Sequence, residues 1–159
     1  MAKLEIEIPD CITITPEFKN RIRIKTLSEI AEYQALSACE IFFGKKFKMG
    51  KYNSKGFDVI SEDGLIVVEV KQTSCVMPDG SKRLQIQSYM NKEGIFTHIL
   101  IIDYNSNRGF ILEHDDFFYN THHYSNSNVW RWDSEYNMKS NRCEKNTQFL
   151  LNNEINLPS

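Results

Sequence analysis

Apolar residues recur along this chain with two different periods, and the change of period marks its elements. Between Thr26 and Phe43 they fall three or four positions apart, with Glu32, Leu36, Cys39 and Phe43 on one i, i+4, i+7, i+11 stripe. Thr26-Leu27-Ser28-Glu29 has the form of a capping box, so a helix is expected from about residue 26 to Phe43. After Gly56 the pattern changes. Phe57-Asp58-Val59-Ile60-Ser61-Glu62 and Leu65-Ile66-Val67-Val68-Glu69-Val70-Lys71 flank Asp63-Gly64, a preferred two-residue hairpin loop that needs φ > 0 at both positions. The second run opens on four consecutive apolar residues, the pattern of a strand covered on both faces. Ile99-Leu100-Ile101-Ile102 reads as another buried strand, Asn105-Ser106-Asn107-Arg108-Gly109 as a turn and Phe110-Ile111-Leu112 as its partner. Residues 120–128 have no period and read as a loop, Val129-Trp130-Arg131-Trp132 alternates like a strand, and a polar tail follows.

The hairpin carries the chemistry. With a loop at Asp63-Gly64, Glu62 faces Leu65 and the same register sets Asp58 directly opposite Glu69. Two carboxylates facing each other across a strand pair repel, so the arrangement calls for a cation between them or a shifted proton. A divalent metal would answer that need. Lys71 lies two residues beyond Glu69, and the period-two pleat puts both on one face.

Size and charge bound the reading. At 159 residues and 41% hydrophobic composition the chain suits one domain with a core of its own. It has no apolar stretch of membrane-spanning length, and Met1-Ala2-Lys3-Leu4-Glu5 does not begin a signal peptide, so a soluble, cytoplasmic protein is expected. Cys11, Cys39, Cys75 and Cys143 show no Cys-x-x-Cys spacing and are expected as reduced thiols. A formal charge of −2 argues against a general nucleic-acid coating protein, yet the cations are unevenly placed. Lys45, Lys46, Lys48, Lys51 and Lys55 crowd the segment before Asp58 with no acid among them. Such a cluster suits a phosphate backbone beside a carboxylate site; a solvated loop is the alternative. His98, His114, His122 and His123 lack zinc spacing.

Asp58, ten intervening residues, then Glu69-Val70-Lys71 resembles the motif of the PD-(D/E)xK nuclease superfamily, with Phe57 in place of the proline. The resemblance covers residues 27–71 and extends loosely to about 113. It implies an α/β fold of restriction-endonuclease-like type, an α/β/α core with a mixed central sheet and the order helix, hairpin, helix, strands. The core would span about 26–115, with 116–159 as an extension that recognises DNA. It also implies an acid on the preceding helix, for which Glu32, on the apolar stripe, is favoured over Glu29, on the polar first turn. Gln85-Ile86-Gln87-Ser88-Tyr89 matches a Gln-x-x-x-Tyr signature of some recombination-type members and would line the site.

From that resemblance Asp58, Glu69 and Glu32 are expected to hold Mg²⁺, with Mn²⁺ able to substitute, and Lys71 to stabilise the developing charge or orient water. The implied reaction is hydrolysis of DNA to 5′-phosphate and 3′-hydroxyl ends, by an enzyme similar to small Type II restriction endonucleases acting as a homodimer. Lys45, Lys46, Lys48, Lys51, Lys55 and Gln85 are the expected DNA contacts. A structure-selective resolvase or repair nuclease, and a non-catalytic binding module on the same fold, are the alternatives.

Overall fold

A computed structural model describes residues 15–50, 57–72, 84–103, 107–132 and 141–158. The first helix, α1 (Pro16–Phe43), begins ten residues earlier than the capping-box reading placed it. Proline suits a first helical position because it has no N–H to leave unpaired, and the Lys19 N–H bonds to the Thr15 carbonyl at 3.1 Å. Thr26-Leu27-Ser28-Glu29 is therefore helix interior. The helix packs through Ala31, Ala35, Ala38 and Cys39, all buried, with Leu36 and Phe43 at the margin of the contact. Small side chains on that line let the helix axis come close to the sheet beneath.

The sheet has six strands: β1 (Phe47–Met49), β2 (Val59–Ser61), β3 (Val67–Gln72), β5 (His98–Asp103), β6 (Arg108–Glu113) and β9 (Glu154–Ile155), in the order β1-β2-β3-β5-β6-β9. It is mixed: β3 and β5 run parallel and the other pairs antiparallel. A parallel neighbour cannot be reached through a tight turn, so the chain must cross over between β3 and β5. Within the crossover the described residues form β4 (Leu84–Gln87) and a short 3₁₀ helix (Ser88–Asn91), where an α-helix was expected.

Two clusters fill the faces of the sheet. On one face α1 covers Val59, Val68, Val70, Leu100 and Ile102. On the other Ile99, Ile101, Phe110 and Leu112 meet Phe117 and Phe118 of α2 (His114–Tyr119), Leu150 of α3 (Asn141–Asn152) and a second sheet. That sheet has the order β4-β8-β7, with β7 at His122–Tyr124 and β8 at Val129–Trp132, and it contributes Leu84, Ile86 and Trp132. Part of the region read as a loop is thus a hairpin, turned at Asn128 with φ 53°, and the polar tail contains a helix and an edge strand. Elements from beyond residue 115 pack into the same cluster as β5 and β6.

Candidate active site on the β2–β3 hairpin

The hairpin keeps the expected register with a different turn. Val59 stands opposite Val68 and Ile60 opposite Val67. The Ser61 N–H bonds to the Ile66 carbonyl at 2.9 Å, which makes the loop four residues long, Glu62–Leu65, instead of two. Gly64 takes φ +74°, while Asp63 stays out of the positive-φ region. The Asp63 carboxylate closes the loop instead, accepting from Ser61 Oγ–H at 2.6 Å and the Leu65 N–H at 3.0 Å. The hydrogen bond from Lys45 at 2.8 Å, and then those bonds, hold its pKa well below the usual carboxylate range. Leu65 consequently lies in the turn and is exposed, so the doubly covered part of the strand starts after it. Lengthening the loop by two kept the parity of the ladder, and the paired residues Val59, Ile60, Val67 and Val68 stay on their expected faces.

Asp58 departs from a flat cross-strand pair. Its N–H bonds to the carbonyl of Val68, the residue already opposite Val59, at 2.9 Å. Its own carbonyl accepts from the Gly50 N–H at 2.7 Å. A Cβ on Gly50 would lie 2.9 Å from the Phe57 carbonyl oxygen, so glycine is required for that approach. Because β2 ends here, the Val70 N–H, two residues along from Val68 and pointing the same way, has no strand partner on that side. Asp58 Oδ2 accepts it at 2.7 Å. The carboxylate is thus fixed at the edge of the sheet by the backbone of β3.

Glu69 and Lys71 point away from α1, on the same face as Val67. Glu69 is 5% exposed and accepts from Lys71 Nζ at 2.5 Å. Burial and then the neighbouring Asp58 push the Glu69 carboxyl up, opposed by Lys71. Asp58 is likewise pushed up by burial, against the Val70 hydrogen bond and Lys71. Burial would depress the Lys71 ammonium, but Glu69 and Asp58 outweigh it and hold its pKa above the ordinary lysine value. Lys71 is therefore a cation at neutral pH, suited to stabilising negative charge and not to accepting a proton.

Glu32 is half-buried on α1, the layer opposite to Glu69 and Lys71. Its carboxyl is pushed up by burial, then by Asp58, Glu29 and Glu69, with Lys71 opposing. It belongs to the electrostatic surroundings of the pair. Among the described residues, however, no three His, Cys, Asp or Glu side chains stand together as a metal would need. The expected set of Asp58, Glu69 and Glu32 is therefore not assembled, because α1 and the Glu69 side chain lie on different faces of the sheet. Asp58 and Glu69 alone still suit a hard divalent cation: they are oxygen donors, repel one another, and have Lys71 as the cation in contact. Mg²⁺ in particular is held by one or two carboxylates, with water and phosphate completing its shell.

The expected DNA contacts are dispersed. Lys45 is committed to Asp63; Lys46 is exposed in the connection to β1, and Lys48 is exposed on β1 itself, an edge strand and not a loop. Lys51 and Lys55 lie outside the described residues. Gln85 is exposed on β4, paired with Arg131 in the second sheet. Tyr89, four residues on, is the member of that stretch within electrostatic reach of Lys71. Cys39 is buried with its thiol pushed up to about 12, which leaves it inert. Cys11 and Cys75 lie outside the described residues. His114 contacts Asp115 and the Met90 carbonyl, and His123 contacts Ser88. Among the described residues no helix is long and apolar enough to cross a membrane.

Neither the family models nor the curated proteins compared with this sequence match it. Among solved structures, the chain is similar to a bacterial homing endonuclease, I-Ssp6803I, at 13% identity and a TM-score of 0.47, over 80% of this chain and 93% of that one.

Proposed function

We propose that this chain is a metal-dependent DNA endonuclease of the restriction-endonuclease-like, PD-(D/E)xK kind, with Asp58, Glu69 and Lys71 as its active site. One observation carries the reading: adjoining strands bring two repelling carboxylates and a charged lysine together, with one acid buried and the other pinned to the backbone. Asp58 and Glu69 would hold Mg²⁺, which when bound polarises the phosphate and lowers the pKa of a water molecule. The two carboxylates outnumber the single Lys71 charge, which leaves the site able to take a divalent cation. Lys71, held charged by both, offers a preorganised N–H donor to the oxygen on which charge develops during phosphodiester hydrolysis. Glu32 tunes the field from the far layer and is a positioning charge in this scheme, not a ligand. Lys46 and Lys48 would bind phosphates, and two copies of the chain would serve to cut both strands.

Nicking of supercoiled plasmid in Mg²⁺ tests the proposal. Asp58→Asn, Glu69→Gln and Lys71→Ala should each abolish it. Cleavage confined to branched substrates would favour the resolvase or repair reading, and DNA binding without cleavage under any divalent metal would assign the fold to a binding module.

A further inference from the structure

Beside the carboxylates the surface opens into a cleft of about 430 Å³ lined by Phe57, Val67, Tyr89, Gly94 and Ile95. Its position is set by the hairpin: Phe57 precedes Asp58, and Val67 shares a face of β3 with Glu69 and Lys71. Among the described residues two aromatic rings and two aliphatic side chains give it an apolar lining. Tyr89 is 47% exposed, so part of its ring is open to solvent beside the cleft. Gly94 presents bare backbone at φ +86°, and a Cβ there would meet nothing within 4 Å, so that side of the cleft is open.

Cations flank this apolar space. Lys71 lies on the strand of Val67 and is within electrostatic reach of Tyr89. Across the strands Lys48 pairs with Ile60 and Ile60 with Val67, which puts the exposed Lys48 on the same face, two strand spacings or about 10 Å from Val67. An apolar, aromatic-walled slot with two separated cations on the same face of the sheet matches a flat π-system joined at both ends to anions. A nucleotide within a strand has that chemistry. A paired base in a duplex covers both its faces by stacking, so only an unpaired base can enter.

We propose that the cleft takes the base of an unpaired nucleotide adjoining the phosphate that Asp58, Glu69 and Lys71 act on, with Tyr89 as the stacking platform and Lys48 on the neighbouring phosphate. The inference rests on the nuclease reading only for the position of the scissile phosphate. It makes single-stranded or locally opened DNA the substrate form that the site engages.

The test compares two labelled ligands of equal charge, a short oligothymidylate and the same backbone with abasic residues, by fluorescence anisotropy of the full chain in excess chelator. The wild type should bind the oligothymidylate more tightly by about 5- to 150-fold, the range for losing one base–aromatic stack. Tyr89→Ala should erase that preference, Tyr89→Phe should keep it, and Lys48→Ala should weaken both ligands alike. Phe57→Leu, which should also reduce the preference, serves if Tyr89→Ala fails to melt cooperatively. Equal binding of the two ligands by the wild type, or an unchanged preference in a folded Tyr89→Ala, would overturn the proposal. Plasmid cleavage measured in parallel separates the two readings: cleavage without base preference removes the cleft alone, and base preference without cleavage in any metal removes the nuclease reading alone.

Discussion

Asp58 is asked to do two things, to accept the Val70 N–H and to supply charge to a metal, and two substitutions separate them. Val70 is buried and its N–H has Asp58 Oδ2 at 2.7 Å. Asp58→Ala leaves that donor without the acceptor, a loss of about 1–3 kcal/mol. Asp58→Asn keeps a carbonyl in the same place. It gives up the extra strength of a charge-assisted bond, about 1 kcal/mol, and removes the repulsion that pushes up Glu69, where each pKa unit relieved is worth about 1.4 kcal/mol. The two effects oppose. In chelator, above neutral pH, Asp58→Asn should therefore melt at or above the wild-type temperature. Asp58→Ala should melt lower, by roughly 2–4 °C per kcal/mol lost for a chain of this length. Adding Mg²⁺ should raise the wild-type melting temperature in proportion to the logarithm of its concentration above Kd and leave Asp58→Asn unmoved. Thermal denaturation followed by circular dichroism reads all three proteins. If Asp58→Asn proves as unstable as Asp58→Ala, the fold itself depends on the charge and the assignment of Asp58 to a metal is wrong.

Lys71→Ala should leave DNA affinity within a few-fold and lower the single-turnover cleavage rate by roughly two or more orders of magnitude, the scale of one lost transition-state donor. Replacing Lys46 and Lys48 together should reduce the slope of log affinity against log salt by up to about one unit per lost contact, whereas Lys45→Ala, already paired with Asp63, should change it less; filter binding across a salt series distinguishes them. Cleavage should require Mg²⁺ or Mn²⁺ and stop in Ca²⁺, which accepts oxygen ligands and activates water poorly, while gel shifts in Ca²⁺ still show binding. Because the Asp58 and Glu69 carboxyls are raised in the fold, the folded protein holds protons that the unfolded chain releases. Their contribution to metal-free stability is thus greatest below the ordinary carboxylate range, about pH 4, and falls as pH rises through the raised values. The lowered Asp63 and Glu154 lose their contribution only as pH drops through that range, whereas the lowered His98 adds stability as pH rises through the ordinary histidine value in both proteins, so the change in urea-unfolding free energy between about pH 5.5 and about pH 8 should be more negative in the wild type than in Asp58→Asn.

Local chemistry determined the hairpin. A turn at Asp63-Gly64 between β-branched runs can pair its strands only in registers of one parity if the apolar side chains are to share a face. Glu69 and Lys71 on one face of the strand, and Ile99–Ile102 as a buried strand beside it, follow from that alternation alone. The start of α1 was also written locally, in Thr15-Pro16, but the similar signal at Thr26–Glu29 competes with it, and the structure runs one helix through both. What lay beyond the sequence was the relation between distant layers. That β2 stops at Val59, leaving the Val70 N–H for Asp58, depends on the whole edge of the sheet. That Glu32 belongs to the layer facing away from Glu69 depends on which face α1 covers, a choice helical periodicity cannot express because it marks the buried side of a helix and not the surface that buries it. The weakly apolar segments at 114–124 and 141–155 acquired structure for the same reason: their few aromatic and aliphatic residues are held by a core assembled from the rest of the chain, and tertiary burial overrides the polar composition that reads as loop and tail.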